Sequence, residues 1–168
     1  IIEWTLSNGA RVYLKPTDYS PDQILLAGHG WGGTSLVPES DLPEAMLAGS
    51  LPGIAGLGDF SSTALRTATV GKLVSAGMQI GQYSQQVSGS STVRDLETLM
   101  QLVYMHFTAP RMDTGAVRAW QRRLKTQLEG RGASPQTRFR DSVALTLSQH
   151  HPRSMLLRPE QVDSIDLG

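Results

Sequence analysis

Between Leu73 and Met112 the chain passes from one hydrophobic rhythm to another. From Gly77 to Ser91 the residues are small, polar or β-branched, and Met78, Ile80 and Val87 are the apolar positions. This pattern predicts two β-segments, with turns or close backbone contacts at Gly81 and Gly89. The rhythm then changes: Leu96, Leu99, Met100, Val103 and Phe107 recur at i, i+3, i+4, i+7 and i+11, the spacing of one buried helical face. Thr92 and Asp95, three residues apart, form a capping box ahead of that run. Thr108-Ala109-Pro110 ends it, because the residue before a proline is pushed out of the α region. A β-pair feeding a packed helix predicts an α+β layer.

The flanking segments add layers of the same kind. Glu3–Leu6 and Ala10–Lys15 alternate around Ser7-Asn8-Gly9, and Asn-Gly between such runs predicts a hairpin with a type I′ turn. Gln23–Ala27 reads as a third strand running into Gly28-His29-Gly30-Trp31-Gly32-Gly33. From Asp41 to about Ala55 the pattern is helical, with Leu42, Ala45, Met46 and Gly49 on one side and Pro52-Gly53 weakening its end. A short helix follows Asp59 or Ser61 and runs through Leu65 to about Val70. After Pro110, Asp113 caps a longer helix with the spine Val117, Trp120, Leu124 and Leu128, closed by Gly130 and Gly132. Ser134-Pro135 opens another, with Phe139, Val143 and Leu147 as its expected buried face and His150-His151-Pro152 as its end. The tail to Gly168 is too short to classify, and neither an internal repeat nor a low-complexity tract is visible.

Composition narrows the classes. At 168 residues the chain suffices for one domain with a real core. Its 15 basic and 15 acidic residues cancel, so no global field draws it to nucleic acid or a membrane. Charge is nonetheless uneven: 111–140 holds 8 Lys/Arg against 2 Asp/Glu, which reads as a solvated helix face. With 0 cysteines, disulfides, thiol nucleophiles and thiolate metal sites are excluded. No apolar run has the length of a membrane span, and no signal peptide is present. The sequence begins at Ile1 rather than Met and reads as a segment of a longer chain.

Three stretches have the look of chemistry. Gly28, Gly30 and Gly33 satisfy the G-x-G-x-x-G spacing of dinucleotide sites, but a hairpin precedes them and Ser35-Leu36-Val37-Pro38 stands where a helix must open. A glycine-rich strand approached closely by other backbone is the expected reading. The same LLAGHGWGG run is similar to the oxyanion loop of α/β-hydrolases, yet no serine is flanked by glycines as a nucleophile elbow requires, which leaves His29 as a strand histidine. The histidines His29, His106, His150 and His151 form neither H-x-x-E-H nor H-E-x-x-H.

The hairpin TLSNGARVYL, the strand and helix after it, the GMQIG-to-SSTV β-pair and the DLETLMQLVYMHFTAPRMD helix-to-turn together resemble the pitrilysin/insulinase family of zinc peptidases, the inverzincins. The resemblance covers nearly the whole chain and rests on order, spacing and texture. It implies an α+β domain of the LuxS/processing-peptidase-like metalloenzyme kind, a mostly antiparallel sheet with helices packed on one face. In that family four such domains form two halves closing around a peptide, and the first carries H-x-x-E-H with a distal glutamate on a later helix.

This chain departs from that pattern in PEAMLAGSLPGIA, within 41–55, which has no histidine where the motif is expected. Glu129 falls where the distal glutamate would lie and, standing alone in a basic block, reads as a surface residue. The resemblance therefore implies a non-catalytic repeat from the second half of a bacterial zinc metallopeptidase, forming chamber wall opposite the zinc. No catalytic, metal or substrate-binding residue is assigned here, and zinc is expected in the other half. The expected partners are the catalytic half of the same chain or a partner subunit, and a peptide substrate. Nucleic acid and a membrane span are not expected. A final strand expected after Val162–Leu167 is absent, so an exposed sheet edge could support self-association. The resemblance favours a periplasmic location. The alternative is a zinc-free scaffold or partner subunit of the same fold.

Overall fold

A computed structural model describes residues 1–154 and 156–165. Two antiparallel sheets are present: β1 (Ile2–Thr5) with β2 (Arg11–Leu14), and a three-stranded sheet in the order β3-β5-β4, from Ile24–Trp31, Ser84–Ser91 and Val74–Ile80. The helices are α1 (Leu42–Ala48), α2 (Leu51–Ala55), α3 (Ser62–Ala68), α4 (Leu96–Thr108), α5 (Thr114–Ala133), α6 (Pro135–Leu147) and α7 (Pro159–Ser164). The architecture is the predicted α+β class, with α4 laid across β4 and β5.

The hairpin forms where Asn8-Gly9 predicts it, with a different turn. Gly9 N–H donates to Leu6 O at 2.9 Å and Leu6 N–H to Ala10 O at 2.8 Å. Gly9 alone has positive φ, at 83°, while Asn8 does not and instead accepts Ala10 N–H on its side chain. The loop is thus three residues ending in a left-handed glycine, not the two-residue type I′ turn. The β1–β2 pair stands apart from the larger sheet and most of its residues are exposed.

The predicted 41–55 helix is two helices. Pro52 lies at the start of α2 rather than at the failing end of one long helix, because proline fits the first turn, where its missing N–H has no intrahelical role. Ser50 N–H turns back onto Leu47 O at 2.9 Å between the two. The glycines expected to close the next long helix do not: α5 runs through Gly130 and Gly132 to Ala133. Ser134 then caps both helices, its N–H donating to Arg131 O while its hydroxyl accepts Thr137 N–H at 3.4 Å. Ser61 and Asp113 cap α3 and α5 through Ala64 N–H and Ala116 N–H, as their positions predict.

The core joins Leu42, Ala55, Leu57, Leu99, Leu102 and Val117 to Val162 and Ile165 of the tail. The tail that sequence left unclassified docks on α5, where Gln121 Nε2 donates to Val162 O and Ile165 O at 3.3 and 3.1 Å. Two predicted faces are turned. On α4, Leu99 and Leu102 are buried, but Leu96 and Met100 are exposed and Phe107 is 62% exposed. On α6 the stripe Phe139, Val143 and Leu147 is exposed outright, Leu147 at 80%. The Arg131–Asp141 ion pair, with N···O 2.6 Å, holds α6 against α5 by its Asp141 side. Of the predicted α4 stripe Leu99 is buried as expected, whereas Leu96, Met100, Phe107 and the α6 stripe face elsewhere.

Candidate functional site

The three-stranded sheet has one face covered by α4 and one open. Register decides which side chains meet on the open face. Leu25, Ala27, His29 and Trp31 of β3 align with Ser90, Ser88, Gln86 and Ser84 of β5, and Ser75, Gly77 and Gln79 of β4 continue three of those rows. The result is a surface with no charged residue, built of hydroxyls, carboxamides and one histidine together with the exposed apolar side chains of Leu25 and Trp31. Ser75 and Ser90 hydroxyls lie 2.9 Å apart across the pair. His29 stacks edge-on against Trp31, ring centroids 4.9 Å apart at 87°. A carboxylate that would orient an imidazole as a base is missing from the face, so its chemistry is hydrogen bonding and apolar contact rather than proton transfer.

The glycines shape that surface from behind. A Cβ on Gly28 would fall 2.6 Å from Val87 Cγ1, and one on Gly30 would meet Gln85 Cγ at 3.3 Å. Gly33, at φ +57°, leaves β3 for a short 3-10 turn and lies where a Cβ would sit 2.1 Å from Gly81 O. The G-x-G-x-x-G spacing is therefore the close-packed strand expected from context, and no α-helix opens on it. Gly89, expected at a turn or close contact, is a strand residue whose missing side chain admits Leu99 of α4.

Around the sheet the loops are tied by buried polar groups. Gly32, Thr34 and Ser35 N–H groups donate to Tyr83, Gly81 and Gln82 carbonyls, fixing the end of β3 to the β4–β5 turn. Arg153 reaches back to donate to Thr34 O and Val37 O at 2.8 and 2.9 Å. Asp95, 5% exposed, accepts Leu73 N–H and the Thr92 hydroxyl, each at 2.9 Å. Its carboxyl is held below the usual carboxylate value, chiefly by the Leu73 N–H and against the opposing effect of burial, with Thr92 and Arg94 adding to the lowering.

The basic block is a helix surface. Arg118, Arg122 and Arg123 are exposed on α5, while Lys125 is paired with Asp163 of α7, which raises its pKa. Glu129 is exposed on the same helix beside that pair. His106 Nδ1 donates within α4 to Leu102 O at 2.7 Å, and His150 and His151 lie past the end of α6. Among the described residues no group of three His, Asp or Glu side chains stands together as an ion site, and the α1–α2 segment carries no histidine.

The fold can be matched to known proteins. No protein-family model matches the chain. Over 108 residues it is 32% identical to a zinc protease PQQL-like protein of Arabidopsis thaliana, covering 64% of this chain and 9% of that protein. The periplasmic protease PqqL from Escherichia coli superposes with a TM-score of 0.74 at 20% identity, covering 96% of this chain and 18% of that one. The ferredoxin protease FusC, solved in complex with Arabidopsis ferredoxin, gives 0.77 at 20% identity over 98% of this chain and 18% of that one. The chain thus shares the fold of part of each of these two proteases. The chain spans less than a fifth of the length of each of these proteins.

The sequence assigned no function to the open sheet face, although His29, read there as a strand histidine, lies on it. The signal was present in the alternation Ser84, Gln86, Ser88, Ser90, but only the pairing with β3 and β4 turns an alternating strand into a surface.

Proposed function

We propose that this chain is a non-catalytic domain of a longer zinc metallopeptidase, one wall of the peptide-enclosing chamber opposite the zinc-bearing half. The observation that carries the reading is the open β3-β5-β4 face. It offers hydroxyls, carboxamides and the apolar side chains of Leu25 and Trp31 without charge, which suits contact with peptides of varied sequence, whereas a charged face would select among them. The absent histidine in α1–α2 supports a domain that encloses rather than cleaves. Zinc would be held by residues of a different half, where it would supply Lewis-acid chemistry. The residues here would exclude bulk water and keep the peptide near the opposite wall. The proposed compartment is the periplasm, by likeness to PqqL.

The test is made in the full-length native protein. Replacing Ser88 by Trp places bulk in the middle of the open face. The expected result is unchanged zinc content with a raised KM for unstructured peptides. Unchanged kinetics would remove the wall reading, and lost zinc would show that the domain takes part in the metal site. A native chain with neither H-x-x-E-H nor peptidase activity would leave a scaffold of the same fold.

A further inference from the structure

A cleft of about 470 Å³ lies between α5, α6 and the loop that follows them, on residues that the proposed wall does not use. Its volume falls within the range of small-molecule sites, about 300–1,000 Å³. Leu128 of α5, Leu145 of α6 and Leu156 and Leu157 of the loop give it apolar lining. Its polar lining is cationic or donor in character, from Arg131, His150, His151 and Arg158. Asp141, the one acidic residue among those lining it, is already engaged by Arg131.

The loop fixes the backbone of His150 and Arg158 and the ring of His151. Gln149 and His150 both adopt φ of 53°, a left-handed pair that reverses the chain past α6, with His150 N–H donating to Leu145 O at 2.9 Å. His151 Nδ1 accepts Arg153 N–H at 3.1 Å, which leaves the proton of the neutral ring on Nε2 as a donor. Arg158 has its backbone N–H taken by Gln161 Oε1 at 2.9 Å, and its guanidinium forms no ion pair among the described residues. A fixed positive charge with no ion-pair partner among the described residues, in a cleft also lined by imidazoles and leucine side chains, matches a monoanion with an apolar body.

We infer that this cleft binds an apolar carboxylate, its head at Arg158 and the two histidines and its body on the leucines. Such a ligand has two sources, the free C-terminus of an apolar peptide or a fatty acid. The groups available favour a single negative charge, because Arg131 is neutralised by Asp141 and a dianion would face one unmatched guanidinium.

The inference stands independently of the chamber reading and is tested on the intact chain by following the imidazole resonances of His150 and His151. The probes are decanoate against decanol, and N-acetyl-Leu-Leu with a free carboxylate against its amide. The expected result is saturable shifts with an acid, weakened about tenfold in its neutral counterpart and in Arg158→Glu. Arg158→Gln, which removes the charge without reversing it, serves if Arg158→Glu does not fold. Response to decanoate alone assigns a fatty acid, and to the peptide acid alone a peptide C-terminus; response to both supports the shared chemistry. Absence of saturable shifts with either acid, or equal binding of acid and neutral forms, overturns the site.

Discussion

The Asp95 carboxylate accepts the backbone N–H of Leu73 at 2.9 Å, joining the start of α4 to the residue that leads into β4. A single buried side chain thereby sets the angle at which the helix enters the layer over the sheet. The Thr92 hydroxyl donates to that carboxylate and receives Asp95 N–H at 3.2 Å, so the predicted capping pair exists, shifted into the turn that precedes the helix.

That relationship gives a pH dependence of definite sign. The folded Asp95 carboxyl lies below its ordinary value of 3.8, chiefly through the Leu73 N–H. Its contribution is therefore fully present above the ordinary value and is lost as pH falls below 3.8 through the lowered folded value. Thermal unfolding followed across the acid range should show Tm falling there more steeply in the native chain than in Asp95→Asn. The variant should also be less stable at neutral pH. Parallel curves would mean that the carboxylate charge does not contribute.

Arg153 and the 3-10 turn after β3 supply a second prediction. Its guanidinium satisfies Thr34 O and Val37 O across more than a hundred residues of sequence, and Thr34 is buried. Arg153→Ala leaves those carbonyls without their charged donor and should cost about 1.5–3 kcal/mol in urea unfolding. Arg153→Lys should recover only part of the loss, since an ammonium cannot reproduce the forked geometry. Full rescue by lysine would show that charge alone is at work.

How much of this was legible beforehand differs element by element. Caps and stops were readable because they are local: Ser61, Asp113, Ser134 and Pro110 act within one turn of themselves. Helix rotation was not. Periodicity finds a stripe on α6 in Phe139, Val143 and Leu147, but the Arg131–Asp141 pair and the α5 surface turn that stripe to solvent. The glycines of α5 look like stops in sequence and are carried through because the helix is long and docked by α7. The open sheet face needed strand register, which pairs residues some sixty positions apart in sequence and leaves no local mark. The missing histidine of α1–α2 is legible at once, whereas the basic cleft behind α6 is assembled from three separated segments.

Those rotated faces make a contrast in stability. Leu99 is fully buried, and Leu99→Ala should cost about 2–5 kcal/mol from lost burial and the cavity left behind. Leu147→Ser removes an apolar side chain that is 80% exposed and should change stability by no more than about 0.5 kcal/mol. Denaturant midpoints with unchanged slopes would check both. A large loss for Leu147→Ser would mean that the stripe on α6 is covered in solution.

Two glycines to alanine should move in opposite directions. On Gly89 the added Cβ would lie 2.5 Å from Leu99 Cδ1 and 2.8 Å from Ser75 O, and the second contact is backbone of a paired strand. Neither the helix nor β4 can withdraw without opening the layer, so Gly89→Ala should destabilise by about 1–3 kcal/mol. Gly130 sits inside α5 with nothing within 4 Å of an added Cβ. There the methyl meets only solvent, and alanine restricts the unfolded chain and favours the helix, so Gly130→Ala should stabilise by about 0.5–1 kcal/mol. Paired urea titrations of the two variants decide the matter. Destabilisation by Gly130→Ala would show that the helix needs a glycine there, as a stop or for close approach of another segment, and stability of Gly89→Ala would show that α4 stands further from the sheet than these contacts require.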